Sequence, residues 1–163
     1  MSKRIFIADN RTHVVEMMEE RLTKKGYDVI STCNGAEVIK TLGINNVPDV
    51  IVLDAGLEGV DPVKICHDIK SERRLRDVPL LLLKESKVEE KPFRELGVEE
   101  FLTRPCNQTD LMERIRLLAT YGTSKAQEKK SGIPLKVIGL LLMLACFIAL
   151  LLLIFIPGFT NSG

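Results

Sequence analysis

The chain has 163 residues, a formal net charge of +1, 45% hydrophobic residues and only 5% aromatics, so Val, Ile and Leu must fill whatever core it builds. A charge so near zero argues against a nucleic-acid binder. Four cysteines, Cys33, Cys66, Cys106 and Cys146, show no paired spacing and no histidine at ligand distance, which excludes a zinc signature and fits reduced thiols of a cytosolic domain.

Short apolar runs alternate with helix-period segments through the first 122 residues. "RIFIA" (4–8) is a strand candidate, and 13–25 follows as a helix with Val14, Met18 and Leu22 at helical spacing before Gly26. "YDVIST" (27–32) is a second strand and "GAEVIKTL" (35–42) a second helix. "DVIVL" (49–53) is a third strand, after which Asp61 and Pro62 read as cap and first turn of a helix carrying Val63, Ile65, Cys66 and Ile69. "VPLLLL" (78–83) is the fourth strand, "PFREL" before Gly97 a short helix, and "VEEFLT" (98–103) the fifth strand. Asn107 or Thr109 can cap a last helix with Leu111, Ile115, Leu118 and Ala119 on one side.

Strict alternation with continuously apolar strands implies a parallel sheet covered on both faces. In such sheets function gathers beyond the carboxyl ends of the strands. Asp9 closes the first strand and Asp54 the third, which places two carboxylates at one crevice.

From Val137 to Ile156 the chain reads "VIGLLLMLACFIALLLLIFI", without a charge after Lys136. About 20 apolar residues rise about 30 Å as a helix, the thickness of a bilayer core. A transmembrane helix over 134–156 is therefore expected, and a buried core helix is the alternative. The domain before it holds 19 Lys and Arg against 21 Asp and Glu, whereas Lys125, Lys129, Lys130 and Lys136 face Glu128 alone. Lysines on the N-terminal side and a neutral exit tail, "PGFTNSG", orient the domain to the cytoplasm. No apolar export signal precedes the domain, which favours a C-terminal tail anchor. Ala145 and Ala149 form a small-xxx-small pair that would suit a homodimer. The expected organisation is a domain over 1–121, a basic linker over 122–133, the membrane helix, and a short tail over 157–163.

Four stretches, "IFIADN", "DVIVLDAGLEGVDP", "VPLLLLKES" and "GVEEFLTRP", together resemble the receiver domain of two-component response regulators. The resemblance covers residues 3 to about 121. It implies a flavodoxin-like (βα)5 fold with strand order 2-1-3-4-5, a phosphoacceptor at Asp54, and Mg²⁺ held by Asp9, Asn10 and Asp54. A histidine kinase or another signalling protein is the implied partner.

Several positions depart from the family pattern. The second acidic residue after strand one is Asn10, whose amide oxygen brings no charge to a metal; Asn10 also suits a helix cap or turn. Lys84 stands where the family has Ser or Thr, Arg104 where it has Lys, and Glu58 where it has Pro. An arginine keeps the charge but not the shape of a lysine. Lys84, Arg104 or both are expected to pair with Asp54, since a unit charge at about 4 Å is worth about 4 kcal/mol at an effective dielectric near 20. The expected function is a membrane-anchored receiver module without an output domain and with weakened phosphoacceptance. The alternative is a pseudo-receiver that docks partners without phosphotransfer.

Overall fold

Five short strands supply the apolar centre of the molecule, and their pleat decides what covers each face. The structure is a computed structural model and describes residues 2–43, 47–98 and 100–122. The strands are β1 (Arg4–Ala8), β2 (Asp28–Thr32), β3 (Val50–Asp54), β4 (Leu80–Glu85) and β5 (Glu100–Arg104). All pair in parallel in the order β2-β1-β3-β4-β5. Parallel neighbours need crossovers, and the helices supply them: α1 (Thr12–Lys24), α2 (Val38–Thr41), α3 (Pro62–Ser71), α4 (Lys91–Glu95) and α5 (Gln108–Tyr121).

Successive strand residues point to opposite faces. Ile5, Ile7, Val50, Val52, Leu81 and Leu83 pack with Val15, Met18 and Leu22 of α1 and with Leu111, Ile115, Leu118 and Ala119 of α5. Phe6, Ala8, Ile51, Leu53, Leu80 and Leu82 pack with Val38 of α2, Ile65, Cys66 and Ile69 of α3, and Phe93 of α4. The sheet is thus doubly wound, and the strand-end carboxylates sit at its open carboxyl edge.

Element boundaries differ from the sequence expectation where turn hydrogen bonds compete. The fourth strand begins at Leu80 because the Val78 N–H closes a turn on Leu75, and it runs on through Lys84 and Glu85 because these pair with Thr103 and Arg104 of β5. Likewise the Val98 N–H closes the end of α4 on Phe93, so β5 begins later than expected. The segment 35–42 divides into a 3₁₀ turn, Gly35–Glu37, and the short α2; the Asn34 side chain caps the turn by accepting from the Ala36 N–H at 3.0 Å. Asp61 and Asn107 cap α3 and α5 through the N–H groups of Val63 and Thr109. The expected membrane helix over 134–156, with Ala145 and Ala149, lies outside the described residues.

Gly35 ties the 3₁₀ turn before α2 to the loop that follows β3. A Cβ at this position would lie 2.3 Å from Val60 Cγ2 and 3.2 Å from the Glu58 carbonyl oxygen. Gly35→Ala is expected to cost about 1–3 kcal/mol through overpacking, and Val60→Ala in the same chain should restore part of it. Thermal melts of the two variants check this; an unchanged melt for Gly35→Ala would show that the loop yields.

Candidate functional site

The β1–α1 turn fixes one half of the site. Asp9 is 1% exposed, and its Oδ1 accepts from the Arg11 backbone N–H at 3.0 Å, a local turn favoured by aspartate two residues ahead of a free donor. The Arg11 side chain folds back on the same carboxylate, with Nε 3.0 Å from Oδ1 and a terminal nitrogen 2.9 Å from Oδ2. From β5, the Arg104 guanidinium donates to Asp9 Oδ2 as well. A carboxylate offers about four acceptor positions, and these four donors use them.

Asp54 closes β3 one strand away and is 6% exposed. Its Oδ1 lies 3.7 Å from the Arg104 guanidinium and its Oδ2 lies 3.9 Å from that of Arg11. Both arginines therefore bridge the two carboxylates. Burial raises the Asp54 pKa to about 6, with the Asp9 charge as a further cause; the Gly56 N–H and Arg11 work against it. Gly56 lies so close that a Cβ there would stand 3.3 Å from Asp54 Oδ2.

The pleat explains why these groups meet. Asp9 follows Ile5 and Ile7 on the face covered by α1 and α5, Asp54 follows Val50 and Val52 on it, and Arg104 follows Leu102. Lys84 falls on the other face, after Leu80 and Leu82. Accordingly, it does not pair with Asp54. Its ammonium is buried at the end of β4, donates to the Val88 carbonyl at 3.1 Å and lies 3.5 Å from Glu90. Glu90 in turn pairs with Arg94, whose guanidinium lies 4.5 Å over the Phe101 ring.

A cleft of about 430 Å³ opens above Asp54, lined among others by Asn10, Arg11, Glu58, Lys87 and Arg104. Asn10 borders it without capping α1: the N-cap position is Arg11, which makes no side-chain cap bond. Glu58 is exposed at the rim. Arg11 is the residue that sequence reasoning missed. Its one signal was proximity, since a basic residue two positions beyond Asp9 is within reach of the same crevice. The donor set does not suit Mg²⁺, which asks for near-octahedral oxygen ligands: Asp9 has no open acceptor position, and two guanidiniums border Asp54.

Comparison with known proteins identifies the family. Residues 5–116 match the family model of the response regulator receiver domain. The chain is 26% identical over 118 residues to the alkaline phosphatase synthesis transcriptional regulatory protein PhoP of Bacillus subtilis, covering 72% of this chain and 49% of that one. It thus spans about half the length of that curated relative. Two solved structures share the fold. The receiver domain of a signal transduction histidine kinase from Syntrophus aciditrophicus superimposes with a TM-score of 0.65 at 25% identity, over 73% of this chain and 91% of that one. A CheY-like response regulator receiver domain protein from Methanospirillum hungatei gives 0.68 at 19% identity, over 81% of this chain and all of that one. Family match, strand order and strand-end carboxylates agree, and the chain belongs to the response regulator receiver domains of two-component signalling.

Proposed function

We propose that this chain is a membrane-anchored receiver in which phosphoacceptance at Asp54 is weakened. The observation that carries the reading is the pair of guanidiniums held within 4 Å of the Asp54 carboxylate. In phosphoryl transfer an aspartate oxygen attacks phosphorus in line while the donor's leaving atom, the imidazole nitrogen of a phosphohistidine, takes the bonding electrons of the broken bond, and catalysis is mostly positioning and charge neutralisation. Arg104 and Arg11 pull Asp54 toward fixed partners and crowd the path of an incoming group. Lys84, in the place of a small hydroxyl, is committed to Val88 and Glu90 on the other face.

That commitment favours a second role alongside the first. Lys84, Glu90, Arg94 and Phe101 link β4, α4 and β5 in one chain of contacts, which suits a docking surface for a histidine kinase or another signalling protein that does not wait for phosphorylation. The apolar run 137–156 and its flanking lysines support an anchor that keeps the receiver in the cytoplasm beside membrane-bound partners.

Three outcomes follow from these readings. Incubating the full-length chain with a small-molecule phosphodonor and Mg²⁺ should give far less than stoichiometric mass increase, and none in Asp54→Asn; stoichiometric labelling of Asp54 overturns the weakened-acceptor reading. The same variant tests the buried carboxyl. A native pKa near 6 against an unfolded value of about 3.9 means that the folded state binds the proton more tightly. The contribution of Asp54 to stability should therefore fall as pH rises from about 4 through 6, so Asp54→Asn should gain about 1–3 kcal/mol relative to the wild type between pH 4 and neutrality. Melts across that range check the sign. Finally, the full-length chain should remain with membranes after alkaline extraction, and a chain ending at residue 133 should be released; release of both overturns the anchor.

A further inference from the structure

We infer that the guanidiniums of Arg11 and Arg104 take the place a divalent cation has in receiver domains, so that the cleft supplies its own two positive charges. Two carboxylates, Asp9 and Asp54, face two guanidiniums, and the charges of the four groups cancel. A doubly charged metal ion would balance the same pair of carboxylates, so the arginines make it electrostatically redundant.

Geometry closes the site as well. All four acceptor positions of Asp9 are engaged, two of them by the backbone and Nε of Arg11 on Oδ1. A cation would have to displace a bidentate, charge-assisted contact whose donor is held only two residues along the chain. Mg²⁺ gives up its water reluctantly and makes few compensating contacts when ligands are missing. The neighbouring position is Asn10, a neutral oxygen at best. Neither remaining carboxylate of the cleft replaces it: Glu85 pairs with Lys87 at 2.9 Å, and Glu58 is exposed at the rim.

This inference rests on reading the cleft as a receiver site, but it stands or falls on a different measurement from the labelling of Asp54. Calorimetric titration of the full-length chain with Mn²⁺ should show binding at least about tenfold weaker for the wild type than for Arg11→Gln, which removes the charge and frees acceptors on Asp9. Adding Asn10→Asp to that variant should tighten binding further. In the wild type, the Nε–H resonance of Arg11 should stay unshifted by millimolar Mg²⁺. Wild-type Mn²⁺ affinity equal to that of folded Arg11→Gln overturns the inference, as does a Mg²⁺-dependent shift of Arg11. Should Arg11→Gln fail to fold, the wild-type resonance decides alone. Absent labelling of Asp54 together with strong wild-type Mn²⁺ binding would leave the weakened-acceptor reading standing and remove this one.

Discussion

A pleated strand turns successive side chains to opposite faces, and in this sheet the alternation sorts the charged strand ends into two groups. Asp9, Asp54 and Arg104 continue the rows that pack against α1 and α5, and Lys84 continues the row that packs against α3 and α4. Everything at the carboxyl edge depends on that sorting. Because Asp9 and Asp54 emerge on the same side of adjacent strands, a single guanidinium from β5 reaches both. Two buried anions side by side are costly, and the arginines offset that cost by supplying charge and directed donors together. Removing Arg104 would leave the two carboxylates facing Arg11 alone, an unmatched buried charge of the kind that typically costs about 3–5 kcal/mol.

The fold was legible because each strand is a continuous apolar run and each crossover carries helical spacing. Val14, Met18 and Leu22 marked α1, although the buried set is Val15, Met18 and Leu22; neighbouring positions on one helical face exchange roles easily. Strand ends were less legible, since whether a strand continues past Leu83 depends on pairing with β5, a contact far away in sequence. Asp54 and Arg104 could be brought together from the strand-end pattern. Lys84 could not be placed by the same reasoning without counting pleat parity from Leu80, and the count sends it to the other face. Arg11 escaped because its role depends on a side chain doubling back on the residue two before it, a conformation that no periodicity records.

The chemistry of the cleft follows from what each cation can do. A hydrated metal ion comes and goes with its concentration, whereas a guanidinium tethered to the chain is present at a fixed distance under all conditions. Arg104 comes from β5 and Arg11 from the turn after β1, so the cluster also ties the centre of the sheet to its edge strand. Cys66, deep in the second core and with its thiol pushed up to about 12 by burial, takes no part in this chemistry and acts as a small apolar residue.

Lys84 carries a consequence for motion. A lysine that is only 6% exposed leaves its ammonium little water to fall back on, so the Val88 carbonyl and Glu90 serve as its solvation shell. Any displacement of the segment between β4 and α4 must either drag Lys84 along or strand a naked charge among leucines. The segment between β4 and α4 is therefore tied through Lys84 to the strand beneath it.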